Sequence, residues 1–337
     1  MGTAASPVLR AGIIGAGWIG QRHAQTLAGR DDVIVSAVCD TDLGRAREVA
    51  ARCGGEAFSS WPEMLDQVLL DAVWVCTPPL AHAEPAVACL DRGLALYLEK
   101  PIARSPGDAG RIVAAAALAR AVCAVGYQWR AVDVLDDLRL ALAGRTVGCL
   151  VGQSIGGTQS RSWFTDRAAG GGNLLERGSH HIDLARVLAG EVAAVQAAAS
   201  TVPLAPGRGG DIDDAVTIVL HFATGGVGTI VVAWTSDELP GSYWAEVVTD
   251  SAALRLDLDP DFRLSGVSRG VTVGAASRTQ PFERSVDRFV AAVRAGDPDL
   301  VFCTPADAAG TLAVAAAAEA ALNSGQTVLI QHGDARL

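Results

Sequence analysis

The stretch Val8-Leu9-Arg10-Ala11-Gly12-Ile13-Ile14-Gly15-Ala16-Gly17-Trp18-Ile19-Gly20 decides the fold. Its first part, Val8–Ile14, is an apolar run with the length of a buried strand, and Ile19–Ala28 beyond it carries a helical pattern. Between them Gly15, Gly17 and Gly20 complete G-x-G-x-x-G, a spacing that means little alone and much when a strand precedes it and a helix follows. Each glycine has a task. Gly15 permits a tight turn, Gly17 lets the backbone approach a pyrophosphate, and Gly20 allows helix to pack closely on strand. The helix that follows has free N–H groups and a positive dipole end that suit phosphate. The segment reads as a dinucleotide site.

Outward from it, the apolar runs Val33–Cys39, Asp71–Cys76, Leu94–Leu98 and Val122–Gly126 alternate with helical patterns at Leu43–Cys53, Ala81–Arg92 and Pro106–Ala119. Such alternation indicates an α/β Rossmann domain, a doubly wound parallel sheet covered on both faces. The texture then changes. After a connecting helix, Val132–Ala143, the runs Val147–Gly156, Val192–Val202, Ala215–Phe222, Gly226–Trp234, Tyr243–Thr249 and Ala253–Leu258 read as strands. Short turns rich in Gly, Asp or Ser join most of them and favour antiparallel pairing. Helices are expected at Asn173–Leu188, Ser285–Ala295 and Pro305–Asn323, and Pro203–Asp214 reads as a mobile surface loop. The expected division is a Rossmann domain, 1–126, and an α+β domain, 127–337, with a large, mainly antiparallel open sheet.

Asp40 ends the second strand, twenty residues after Gly20. A carboxylate there can accept both hydrogen bonds of an adenosine ribose diol and would repel a 2′-phosphate, while Thr41-Asp42 offers no cation to compensate. NAD is therefore expected over NADP. The formal net charge of −10 argues against a nucleic-acid partner, which needs a basic face. No signal peptide or membrane span is read, and seven widely spaced cysteines without Cys-x-x-Cys suit a reducing compartment. A soluble, cytoplasmic protein is expected.

Three further signals fall into place around the fingerprint. Thr77-Pro78-Pro79 with His82 follows the strand Asp71–Cys76, and Glu99-Lys100-Pro101 follows Leu94–Leu98, both at the carboxyl edge where ligands bind in such sheets. Gly170-Gly171-Gly172-Asn173-Leu174-Leu175-Glu176-Arg177-Gly178-Ser179-His180-His181-Ile182-Asp183 lies in the second domain. In this order, over essentially the whole chain, they resemble the glucose–fructose oxidoreductase / inositol dehydrogenase / rhizopine-catabolism (Gfo/Idh/MocA) family. The resemblance implies that Lys100 contacts the substrate hydroxyl and the nicotinamide region, that His180 transfers the proton, and that Tyr127-Gln128-Trp129-Arg130 lines the cleft. It also implies a cis Lys100–Pro101 peptide. Glu176 stands where many members have Asp, which leaves its role open between acid, orienter and substrate ligand.

The residues allow the same chemistry. On a helix, Glu176, His180 and Asp183 are spaced i, i+4, i+7 and share a face, with His181 turned away. Oxidation of an alcohol removes the hydroxyl proton as hydride leaves the carbon, and an imidazole suits the first task. A lysine can stabilise the developing alkoxide. The expected catalytic residues are thus Lys100, His180 and Glu176. Gly15, Gly17, Trp18, Ile19, Gly20, Asp40, Thr77, Pro78, His82, Glu99 and Lys100 are expected to hold the cofactor. Gln128, Arg130 and Trp163, with Lys100, Glu176 and His180, are expected to hold the substrate. Glu176 and His180 could donate two metal ligands, but no other histidine has complementary spacing, so no metal is expected. The leading function is NAD-dependent oxidation or reduction of a sugar, inositol or related polyol. The alternatives are a glycoside-cleaving enzyme with transient oxidation and a non-catalytic NAD-binding regulator. An exposed antiparallel sheet asks for cover, and a homodimer or homotetramer through the second domain is expected.

Overall fold

The computed structural model describes residues 7–157, 162–205, 209–236 and 238–330. The chain forms two compact units, one of Met1–Gly126 with Ser285–Ala306, the other of Tyr127–Arg284 with Asp307–Leu337.

The first unit runs β1 (Leu9–Ile14), α1 (Trp18–Ala28), β2 (Val33–Cys39), α2 (Leu43–Cys53), β3 (Glu56–Phe58), α3 (Trp61–Gln67), β4 (Ala72–Val75), α4 (Ala83–Asp91), β5 (Ala95–Leu98), α5 (Pro106–Ala119) and β6 (Cys123–Val125). Its strands form one parallel sheet in the order β3-β2-β1-β4-β5-β6, the doubly wound arrangement expected. β4 and β5 are buried along their whole length, as continuous apolar runs require in a sheet covered on both faces. The short β3 and α3 were not legible, because Glu56–Phe58 is too brief to carry a period.

The second unit contains α6 (Val134–Leu142), β7 (Cys149–Gly157), α7 (Arg167–Gly170), α8 (Ser179–Ala189), β8 (Val192–Ala199), β9 (Ala215–Phe222), β10 (Val227–Thr235), β11 (Ser242–Val248), β12 (Ala252–Asp259), β13 (Arg263–Ser268) and β14 (Val271–Ala276). Then come α9 (Pro281–Ala295), whose residues from Ser285 belong to the first unit, α10 (Pro305–Ser324) and β15 (Val328–Leu329). The nine strands order as β14-β13-β12-β11-β7-β10-β9-β8-β15, antiparallel except for the parallel pair β7/β10. β9 alternates partly and fully buried residues throughout, so one face of the sheet packs inward.

Two differences from the sequence reading have clear causes. The hairpin β13/β14, turning at Arg269-Gly270, was not read as strands, because its Ser- and Gly-rich sequence carries little apolar alternation. Ser285–Ala306 was assigned with everything after Gly126, yet it packs in the first unit. There the Phe289 ring meets Trp74 and Tyr97 edge-on at centroid distances of 5.2 and 5.4 Å, and Ser285 hydrogen-bonds the Tyr97 hydroxyl at 2.9 Å. Residues 206–208 of the loop Pro203–Asp214 lie outside the described residues; Leu204 N–H donates to Asp214 at 2.7 Å. No helix among the described residues is long and apolar enough to cross a membrane.

Candidate active site

In the first unit the glycine turn is built for close approach. Gly15 has φ +99°, and a Cβ there would lie 2.7 Å from the Cys76 carbonyl group. A Cβ on Gly20 would lie 1.9 Å from the Gly15 oxygen, so only glycine lets α1 start against β1. A Cβ on Gly17 would meet nothing within 4 Å, and no side chain caps α1 there. That opening at a helix start is the cradle a pyrophosphate needs, and the residues present fit NAD. Trp18 is exposed and Ile19 half-buried at the same helix start.

Asp40 is buried and held from both sides. Its Oδ2 accepts from Ala16 N–H at 2.8 Å, and its Oδ1 accepts from Asp42 N–H at 2.9 Å. The carboxylate is thus aligned with the glycine turn, and Asp42 rather than Asp40 caps α2.

At the carboxyl edge, Lys100 follows β5 and is joined to Pro101 by a cis peptide, as the family resemblance implied. Glu99, expected at the cofactor, instead directs its carboxylate into the protein. Oε1 lies 2.8 Å from Nε2 of the fully buried His23 on α1, and Oε2 accepts from Lys100 N–H at 3.2 Å. Gly126 leaves room for it, since a Cβ would come within 3.1 Å of that carboxylate. His82 also departs from expectation. It has no exposed surface, and its ring nitrogens stand 2.8 Å from the carbonyls of Thr77 and Pro101. Burial lowers its pKa, against the opposing pull of those carbonyls. It ties the Thr77-Pro78 loop to the segment after Lys100 and is itself too deep to touch a cofactor.

In the second unit the expected continuous helix Asn173–Leu188 is broken. Leu174–Gly178 is a π-helical turn, and α8 begins only at Ser179. The α-helical i, i+4 spacing between Glu176 and His180 is therefore not realised, whereas His180 and Asp183 do share α8. Side chains clamp the turn to the sheet. Asn173 donates to the Asp214 carbonyl at 3.2 Å, and Arg177 donates to the carbonyls of Gly156, Gly157 and Ala233 at 2.9–3.0 Å. The Arg177 guanidinium also lies 3.8 Å from the centre of the Trp234 ring. π-Turns concentrate at functional sites, and this one carries Glu176.

The His180 ring is bracketed by aromatic rings, with Trp129 at 4.8 Å and Tyr127 edge-on at 5.8 Å between centroids. Arg130, expected to bind substrate, is buried and paired instead. It holds Asp183 through two hydrogen bonds of 2.7 and 2.8 Å and stands 3.2 Å from Asp307. Thr311 donates to the same Asp183 carboxylate at 2.9 Å. Gln128 is half-buried beside it. Trp163 packs on Phe164 at 4.1 Å, against a small core of Phe164, Ile212 and Trp234. Asp183, Arg177 and Asn173 were not assigned roles from the sequence, although all three lie in the motif quoted for the resemblance.

His181 is buried, and its Nε2–H donates to the Trp244 carbonyl at 3.0 Å. Burial pushes its pKa from 6.5 down to about 4. The unfolded chain then takes up a proton that the folded chain refuses. The stability from neutral His181 is whole above pH 6.5 and falls away as pH drops towards 4. Thermal denaturation across that window should show a falling limb that His181→Gln flattens; an unchanged limb would remove His181 as its source.

Comparison with known proteins identifies the family. Residues 9–127 fit the profile of an oxidoreductase family with an NAD-binding Rossmann fold, and residues 145–255 fit the Gfo/Idh/MocA C-terminal domain. The chain belongs to the Gfo/Idh/MocA oxidoreductase family. It is 31% identical to myo-inositol 2-dehydrogenase of Thermotoga maritima over 66% of this chain and 67% of that one. It is 28% identical to levoglucosan dehydrogenase of Pseudarthrobacter phenanthrenivorans over 66% of each. An oxidoreductase domain protein from Kribbella flavida shares the fold, with TM-score 0.85 and 24% identity over 97% of this chain and 100% of that one. As a Gfo/Idh/MocA member the protein is an NAD-dependent oxidoreductase.

Proposed function

We propose that this Gfo/Idh/MocA enzyme interconverts a secondary alcohol and a ketone on a sugar, inositol or related polyol, with Lys100 and His180 handling the hydroxyl proton. The relationship to myo-inositol 2-dehydrogenase, together with the family match of residues 9–127 and 145–255, carries this reading. NAD, when bound, supplies the hydride acceptor. Gly15–Gly20 hold the pyrophosphate by backbone N–H groups, and Asp40 takes the ribose diol. Lys100 hydrogen-bonds the substrate oxygen and stabilises its developing negative charge. His180 removes the proton, while the rings of Tyr127 and Trp129 limit how its imidazole can turn. Glu176, in the clamped π-turn, orients the substrate or exchanges protons with His180. Arg130 and Asp183 act as positioning residues, joining Trp129's segment to α8. The seven cysteines, widely spaced and without a Cys-x-x-Cys motif, suit a reducing, cytoplasmic setting.

The test is net NADH formation over a panel of polyols and sugars. Stoichiometric NADH with one of them supports the dehydrogenase. Product without net NADH would replace it by transient oxidation, and neither product nor NADH would leave a binding protein.

The same reading includes a homo-oligomer through the second unit's sheet. Val151, Val227 and Val248 stand on the adjacent strands β7, β10 and β11, 38%, 45% and 37% exposed, an apolar patch that a second copy can cover. Light scattering at micromolar concentration should give a dimer or tetramer, and Val151→Asp should weaken it. A monomeric wild type would refute this.

A further inference from the structure

Next to Lys100 the first unit buries a carboxylate–imidazole pair that the proton transfer itself does not use. His23 stands in the second turn of α1 with no exposed surface, and its Nε2 lies 2.8 Å from Glu99 Oε1. The other oxygen of that carboxylate accepts the Lys100 N–H at 3.2 Å, and the Glu99 side chain is 10% exposed. We infer that His23 is a positioning residue for Lys100. Acting through Glu99, it ties the backbone of the lysine to the helix whose start forms the pyrophosphate cradle, so that amine and cofactor share one frame. The inference rests on Lys100 as the proton-handling group proposed above.

The packing around the pair supports this. The His23 ring meets Tyr97 edge-on at 5.0 Å between centroids, and the Tyr97 hydroxyl lies 2.9 Å from that of Ser285. Glu99 is held at the end of the buried strand β5 by its own N–H, which donates to the Val75 carbonyl at 2.9 Å. On another side, a Cβ on Gly126 would stand 3.1 Å from both carboxylate oxygens, so Glu99 fills the space that the glycine leaves. Cys76 and Tyr97 also face it. Burial first, and then the Glu99 charge, raises the pKa of both, so they stay neutral and supply no cation. A buried carboxylate without partners is costly. Without the imidazole, the least costly relief for Glu99 is to turn towards solvent, and the Lys100 N–H then loses its acceptor.

The composition of the chain provides a direct probe. Lys100 is the only lysine among the 27 Lys and Arg residues, so protein grown with ¹⁵N-lysine gives a single backbone amide signal. That signal belongs to the N–H which Glu99 accepts. His23→Leu should move it and speed its hydrogen exchange, whereas His23→Gln, which can still offer an N–H to the carboxylate, should keep it close to the wild-type position. Should His23→Leu not fold, His23→Asn, one methylene shorter than Gln, makes the same comparison. With NAD saturating, kcat on the polyol that passes the NADH screen should fall about 10²-fold in His23→Leu and recover in His23→Gln, while KM and NAD affinity change far less. An unchanged amide signal in the folded variant would overturn the proposal. So would a His23→Gln protein that behaves like His23→Leu, or a loss confined to melting temperature. The amide signal needs no substrate: if it moves while kcat does not, the positioning stands and the catalytic reading of Lys100 fails.

Discussion

Replacing Lys100 by Met should lower kcat by roughly 10²–10⁴-fold, the usual range for losing a positioned acid or base, while NAD affinity stays within about threefold. Met keeps most of the side-chain length and removes the cation. Lys100 is only half-buried, so the change leaves the interior of the first unit intact. The pyrophosphate cradle is backbone, and its shape is set by Gly15 and Gly20 rather than by Lys100. His180→Ala should cause a loss of similar order. The double mutant should be worse than either by far less than the product, because residues acting on one proton are not additive. Glu176→Gln separates the roles left open by the departure from Asp: a large fall in kcat marks proton exchange, and a rise in KM alone marks substrate binding. Fluorescence titration with NAD alongside steady-state rates decides. Near-wild-type turnover in both single mutants would end this assignment.

The second large effect is on stability. Asp183→Ala leaves the Arg130 guanidinium buried beside Asp307 without its two-point partner. Breaking a buried pair by removing one member costs about 3–5 kcal/mol, because the survivor keeps the desolvation penalty. Roughly 10 °C of melting temperature follows for a unit of this size. Removing both charges, with Arg130→Met and Asp183→Leu, should cost distinctly less than the sum of the two single changes. Calorimetry on the four proteins measures the coupling; strictly additive losses would show that the pair is not energetically a pair. Turnover should fall with stability in Asp183→Ala, since Arg130 adjoins Trp129, whose ring packs on His180.

Much of this molecule was legible in one dimension. Leu43–Cys53 and Pro106–Ala119 have the bounds that their helical patterns indicated, and Ala215–Phe222 those of its strand. These elements are encoded locally, by apolar spacing and by caps within a few residues, such as Asp42 before α2 and Ser105 before α5. The cofactor turn was legible for the same reason, since its three glycines act within six consecutive residues. Assigning Lys100 and His180 rested on fixed motifs and on the family resemblance, not on periodicity.

The sequence by itself therefore determined the parallel sheet, its nucleotide turn and the change to an antiparallel sheet after Gly126. Only the tertiary structure decided which polar side chains are available for chemistry. Arg130 looked like a ligand for substrate until Asp183, 53 residues away, and Thr311, 128 residues beyond Asp183, claimed the buried site. His82 looked like a cofactor contact until two backbone carbonyls enclosed it. Glu176 looked α-helical with His180 until Asn173 and Arg177 fastened a π-turn to the sheet. A buried charge or imidazole needs partners, and those partners come from strands and helices distant in sequence. Spacing along the chain sets the elements, but the desolvation of each polar group is settled only where the elements meet.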